Sequence, residues 1–202
     1  MLLAIDTSAG TSVALVDDDG RVVAERSTPD TRRHAEVIGP YLHEVVAAAS
    51  PTALTGVVAG IGPGPYTGLR VGIAAARAFA FGRGIPLHAV ASHDAVALAL
   101  VQGGAVAGRF AVVTDARRRE VAVTVYGAAL PLPHTIVPAH LVARIDWVPE
   151  QGVVAHEVSE ISAASLGRVA LARLAATLPE VDPRPLYLRA PDVTLSTPKR
   201  VS

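Results

Sequence analysis

The sequence predicts an α/β protein made of two related halves, each a mixed sheet with helices on its faces. Three observations predict it. Short apolar and β-branched runs alternate with helical patterns, the order that builds sheets faced by helices. A strand, an aspartate, a tight turn and a second strand open the chain at residues 2–16 and recur at residues 110–126. Half of the 202 residues are apolar and the mean hydropathy is +0.40, which excludes a disordered chain and supplies a sizeable core. A glycine-rich stretch from Gln102-Gly103-Gly104 to Gly108 sets the boundary between residues 1–103 and 104–202. One continuous doubly wound domain is the alternative.

Residues 2–5 form a buried strand ended by Asp6, Thr7 and Ser8, and residues 12–16 form a second. Asp17-Asp18-Asp19-Gly20 is a hairpin turn into a third strand at 22–25. A helix follows over 31–49, its pattern interrupted by Gly39-Pro40 and closed by Ser50-Pro51. Residues 56–61 make a buried strand, a Gly/Pro loop follows, and 68–81 is a second helix that Thr67 is placed to cap. After a strand at 86–90, Ser92 is placed to cap a third helix over 93–101. In the second half, strands are expected at 110–114 and 121–126, a helix at 138–144, a short strand at 153–155 and a helix at 162–178. The stretch 179–198 holds five prolines and reads as an extended tail laid over the body.

Several chemistries are excluded. There is no cysteine, hence no disulfide, thiolate zinc site or cysteine nucleophile. The one lysine, Lys199, follows no glycine loop, so there is no P-loop. The seven histidines include no pair three or four residues apart, which argues against a helical metal site. No Ser/His/Asp set can be assembled from spacing, which leaves a peptidase without a nucleophile–base pair. Eighteen basic and eighteen acidic residues cancel, unlike a domain that grips nucleic acid by itself. Arg117-Arg118-Arg119 sits at a predicted turn, where charge runs are usually solvated. No leader and no membrane span is legible, so a cytoplasmic protein is expected.

The sharpest feature is the loop from Gly62 to Gly72, Gly62-Pro63-Gly64-Pro65-Tyr66-Thr67-Gly68-Leu69-Arg70-Val71-Gly72, between a strand and a helix. That is where α/β proteins place ligand loops. A phosphate cradle there is short of donors, because Pro63 and Pro65 carry no N–H. A rigid structural turn is the other reading. Asp6 either ends a strand and binds nearby amides or serves as a metal–nucleotide carboxylate. Asp6, Thr7, Ser8, Gly62, Gly64 and Thr67 are thus the candidate nucleotide contacts.

The first two helices carry unusual apolar surface. In the first, Val37, Tyr41 and Val45 form one row, with Ile38, Leu42, Val46 and Ala49 beside it. That stripe is wider than one core contact requires. The second is apolar nearly all round, with Arg70 and Arg77 sharing one face. Such a helix is buried inside its domain or against another chain. The candidate interface comprises His34, Val37, Ile38, Tyr41, Leu42, Val45, Arg70, Val71, Ala74, Arg77 and Ala78.

The loop closely resembles the signature of the TsaB (YeaZ) family, which takes part in making the threonylcarbamoyl modification of tRNA adenosine. That family usually has serine and phenylalanine in place of Pro65 and Tyr66. The opening Leu3-Ala4-Ile5-Asp6-Thr7-Ser8, then Ser12-Val13-Ala14-Leu15, His34-Ala35-Glu36, Asp115-Ala116-Arg117 with Glu120-Val121, and Pro185-Leu186-Tyr187-Leu188-Arg189 also match, in order over nearly the whole chain. The resemblance implies an actin-like, Hsp70-like (ASKHA, RNase H-like) fold in two related halves. It implies a non-catalytic subunit, with no catalytic or metal residues of its own and no cofactor required. Such a subunit pairs with a TsaD-like catalytic subunit through the first two helices, and a TsaE-like ATPase joins them. tRNA is reached through the assembly, and the same helices would homodimerise an isolated chain. An active member of this fold holds ATP and magnesium between two Gly-rich turns. Here the second turn, residues 115–120, has three arginines and no glycine. An autonomous ATP-dependent kinase or ATPase is the alternative function.

Overall fold

The computed structural model describes residues 1–50 and 53–189. In chain order the elements are β1 (Leu2–Asp6), β2 (Thr11–Val16), β3 (Val22–Thr28), α1 (His34–Val46), β4 (Gly56–Gly60), α2 (Tyr66–Arg83) and β5 (Leu87–Val90). There follow α3 (Ser92–Gln102), β6 (Arg109–Asp115), β7 (Glu120–Gly127), β8 (His134–Ala143), β9 (Val154–Glu157) and α4 (Ala163–Ala175). The first sheet has the order β3-β2-β1-β4-β5 and the second the order β8-β7-β6-β9. In each, hairpin-linked strands are antiparallel and the crossover strands run parallel to the first strand. This is the two-halved α/β, actin-like architecture.

Strand periodicity decides which helix covers which face. Leu3, Ile5, Val13, Leu15, Val57 and Ala59 face one way and bury against α1 and α2. Leu2, Ala4, Ala14, Val16 and Val58 face the other way, toward α3 and α4. That second core also takes Phe110, Val112 and Tyr126 from the second sheet, so α3 and α4 lie in a core that both sheets share. Helix α4 follows the second sheet in sequence and packs on the first. Gly167 permits it, since a Cβ there would lie 2.9 Å from Val16 Cγ2. Its N-terminus is held by the first sheet. Glu25 Oε1 accepts from Ser162 Oγ (2.9 Å) and Ala164 N (3.3 Å), and Ser12 Oγ accepts from Ala163 N (2.9 Å). A carboxylate at a helix start satisfies orphan amides and suits the dipole.

Three predicted local features differ. Residues 138–144 are not helical; they belong to β8. Between Val123↔His140 and Val125↔Val137 the register shifts. Pro138 and Ala139 therefore fall in a bulge, where a missing N–H breaks no ladder bond. The second half thus lacks the helix of the predicted repeat. Thr67 does not cap α2: Pro65, extended, precedes the first helical residue, Tyr66, and no side chain caps the helix. Ser92 does not cap α3 either; Ala91 holds the cap position and Ser92 is the first helical residue. Pro40 lies within α1 without ending it. The tail packs on the body as an irregular segment with bends at residues 184, 188 and 189, and residues 190–198 of that stretch lie outside the described residues.

The first turn of α3 joins the halves through three consecutive polar side chains. Ser92 Oγ donates to Asp6 Oδ2 (2.5 Å) at the end of β1. His93 lies between two hydroxyls of the second sheet, with Nδ1 2.7 Å from Thr124 Oγ1 and Nε2 2.9 Å from Thr114 Oγ1. Tyr126 donates to Asp94 Oδ1 (2.7 Å). Burial pushes the His93 imidazole down to about 3. Between the ordinary histidine value and that one, the unfolded chain binds the proton and the folded chain does not. This group's stabilising contribution is therefore complete above the unfolded value and declines as pH falls toward 3. The expected result is an unfolding free energy that drops by about 1.4 kcal/mol per pH unit from this one proton between pH 6 and 4. His93→Gln, which offers a donor and an acceptor to the same threonines, removes that contribution. Denaturant titrations of both chains at matched pH check it, and parallel pH curves would disprove it.

Candidate functional site

The Gly/Pro loop and the first turn form one packed unit. Asp6 is 1% exposed, and Thr7, Ser8 and Thr11 are buried beside it. Asp6 Oδ1 accepts from Ser8 N (2.8 Å) and Ser8 Oγ (2.6 Å), while Oδ2 takes Ser92 Oγ. Burial pushes the Asp6 carboxyl up, and the hydrogen bonds from Ser8 and Ser92 oppose that shift. Thr7 Oγ1 donates to Gly68 O (2.7 Å) and accepts from Gly72 N (3.0 Å), clamping the start of α2. The glycines are spaced to admit this contact. A Cβ at Gly64 would lie 2.8 Å from Ser8, at Gly68 2.7 Å from Thr7 O, and at Gly72 2.2 Å from Thr7 Oγ1. Gly62 N donates to Ser92 Oγ (3.0 Å). The structure therefore brings Asp6, Thr7, Ser8, Gly62 and Gly64 together and leaves Thr67 exposed on α2.

A magnesium–nucleotide fits these residues poorly. The carboxylate it would need is enclosed and held by three donors, and the amide of Gly62 is already taken. In the second turn, residues 115–120, Arg117, Arg118 and Arg119 all have positive φ, 64°, 54° and 62°, strained for residues with a Cβ. The turn is tied to the first half, where Arg117 donates to Thr31 Oγ1, and to the C-terminal segment, where Arg189 pairs with Glu120. Among the described residues no group of three His, Asp or Glu is placed to hold a metal ion.

The candidate interface divides. His34, Ile38 and Val45 are buried within the chain, and Val37, Tyr41, Leu42 and Val71 are half-buried. His34, Ile38 and Val45 serve the chain's own core and keep little surface for a partner. His34 Nδ1 lies 2.8 Å from Thr11 Oγ1, and burial lowers its proton affinity. The first sheet absorbs most of the wide apolar stripe on α1. Helix α2 is different. Arg70, Ala74, Arg77 and Ala78 are exposed, and Phe81 is 90% exposed. Ala74, Ala78 and Phe81 stand at i, i+4 and i+7, one outward face, with Arg70 and Arg77 along its edge. Phe81 was absent from the predicted set, although its i+7 spacing from Ala74 carried the signal. Both arginines are held by the C-terminal segment: Arg70 Nε donates to Tyr187 Oη (3.0 Å) and Arg77 Nη2 to Pro183 O (2.9 Å).

Fold and site together define a two-halved actin-like protein whose first turn is packed shut and whose second helix leaves one face open. The family model described as TsaD, tRNA N6-adenosine threonylcarbamoyltransferase, matches residues 21–136. The tRNA threonylcarbamoyladenosine biosynthesis protein TsaB of Bacillus subtilis is 33% identical over 150 residues, 73% of this chain and 64% of that protein. An uncharacterized protein of Mycobacterium tuberculosis is 46% identical over 127 residues, 59% of this chain and 56% of its own length. The chain thus spans little more than half the length of several curated relatives. YeaZ from Pseudomonas aeruginosa superposes with a TM-score of 0.76 at 25% identity, covering 93% of this chain and 99% of that one. The chain belongs to the TsaB (YeaZ) family of this TsaD-like group. Among the described residues no helix is long and apolar enough to cross a membrane.

Proposed function

We propose that the chain is a non-catalytic, cytoplasmic subunit that binds and supports the TsaD-like subunit of the tRNA threonylcarbamoyladenosine assembly. The observation that carries this reading is the outward face of α2, where Ala74, Ala78 and Phe81 lie open beside Arg70 and Arg77. Small residues let a partner helix approach closely, and the exposed phenylalanine supplies a large anchor. In this reading Val37, Tyr41, Leu42 and Val71 complete the contact from their half-buried positions. The TsaE-like ATPase and tRNA engage the assembly rather than this chain. The chain needs no ATP or magnesium, since Asp6 acts as an internal acceptor. An isolated chain would pair with a second copy through the same face, which a partner subunit would displace.

Sedimentation and co-purification with the TsaD-like subunit test this. A complex of defined stoichiometry is expected, together with loss of tRNA modification when the chain is left out. Absence of a complex would overturn the reading. Calorimetry with ATP and magnesium separates the alternative. Tight binding with turnover by the isolated chain would establish an autonomous ATPase or kinase instead.

A further inference from the structure

Arginine side chains at an interface lose rotamer freedom when they dock, and that loss opposes binding. On α2 that freedom is already restricted in the isolated chain. The Arg70 guanidinium lies 4.1 Å over the ring of Tyr66, one helical turn earlier. Tyr66 stacks on Tyr187, centroids 4.9 Å apart and planes at 27°. The Tyr187 hydroxyl closes the set by accepting from Arg70 Nε. Arg77 is held seven residues along by the carbonyl of Pro183.

The segment that does this is itself anchored. Leu186 N donates to Ile61 O (2.8 Å) at the start of the Gly/Pro loop. Val181 and Tyr187 pack on Ile61, Leu69, Ile73 and Ala89. Arg189 reaches Glu120 at the second turn. Asp182 closes the entry by accepting from Arg184 N (2.9 Å) and Nε (2.7 Å). A short irregular segment is thereby held at several points along its length.

We propose that residues 181–189 form a positioning strap, with Tyr187 presetting Arg70 so that its remaining N–H groups meet a carboxylate on the docking subunit. The inference rests on the docking reading above and adds the strap and the acidic complement to it. Arg70 has five N–H groups and spends one on Tyr187. The fork that remains suits a bidentate carboxylate. Tyr187 touches no partner atom in this scheme; it acts through Arg70 and is a positioning residue.

The test is a double-mutant cycle on affinity for the TsaD-like subunit. Tyr187→Phe keeps the stack and the packing and removes only the hydroxyl. It is expected to weaken binding roughly fivefold, the preorganisation lost when Arg70 regains its rotamers, and to lower the melting temperature by no more than about 4 °C, the worth of one exposed hydrogen bond. Arg70→Ala is expected to weaken it more, and the double variant no more than Arg70→Ala alone. In the isolated wild-type chain the Arg70 Nε–H should show slowed hydrogen exchange by NMR, and Tyr187→Phe should abolish that protection. Wild-type affinity for Tyr187→Phe, additive losses in the double variant, or an unprotected Arg70 Nε–H would overturn the strap and leave the docking reading standing. Failure of the wild-type chain to bind at all would overturn both.

Discussion

An aspartate in place of Ala78 is expected to abolish binding of the TsaD-like subunit and leave the isolated fold intact. Ala78 is exposed on the outward face of α2, in line with Ala74 and Phe81. In the free chain the new carboxylate is solvated, so the melting temperature should stay within about 2 °C of wild type, as surface substitutions do. In the complex it would be an unpaired charge inside an apolar contact, at about 3–5 kcal/mol. That corresponds to an affinity loss of more than about a hundredfold. Phe81→Asp should behave alike, with the added loss of the ring that the contact would cover. Ile145→Asp is the matched control, because Ile145 is also exposed, at 91%, and lies on the loop after β8. Equal affinities for all three variants and wild type would move the docking face off α2. Val71 and Tyr41 are poorer test positions, because both are half-buried against the first sheet's core and a charge there would also disturb the fold.

The second large effect is on stability. Gly72→Ala is expected to destabilise the chain by about 3 kcal/mol, the upper end of overpacking costs. The added methyl would lie 2.2 Å from Thr7 Oγ1. That hydroxyl both donates to Gly68 O and accepts from Gly72 N. The contact cannot be relieved by a side-chain swing without breaking the clamp between the first turn and α2. For a chain of this length the loss corresponds to roughly 6–12 °C in melting temperature. Gly60→Ala should be at least as severe, with its Cβ 1.9 Å from Asp6 Oδ2. Gly82→Ala, on the same helix with open space around it, should instead stabilise by about 0.5–1 kcal/mol. Thermal melts of the three variants decide the matter. Equal melting temperatures for Gly72→Ala and Gly82→Ala would show that the loop glycines are not there for close packing on the turn.

The two substitutions explain the glycine loop differently from a phosphate cradle. Gly64, Gly68 and Gly72 occur where the loop and α2 cross the Asp6-Thr7-Ser8 turn, because a methyl at those positions would occupy the space of the turn's own atoms, whereas Gly62 answers to its positive φ of 102°. Reading the loop as rigid structure was therefore available from its prolines alone. That its glycines press on the first turn was not, because nothing in residues 62–72 names a partner 56 or more positions away. Helix α1 shows the same limit in reverse. Its apolar rows were legible, but a helical wheel cannot tell a core face from a docking face. The first sheet's Leu3, Ile5, Val13 and Leu15 claimed Ile38 and Val45. The strand β8 was misread because Pro138 in a short apolar run looks like a helix start; only pairing with β7 makes the bulge that tolerates it.

What the sequence determined by itself was whatever depends on neighbours within a few residues. Alternating apolar residues made the strands and sorted their two faces, Gly84 in the left-handed region stopped α2, and the run from Gly62 to Gly72 marked the family. Only the tertiary structure decided what those pieces meet. It set Ser92 on Asp6, His93 between Thr114 and Thr124, Glu25 under the start of α4, and Tyr187 on Arg70. The physical reason is that a buried polar group must find its hydrogen-bond partner wherever the packed chain delivers one, and that address is written in three dimensions.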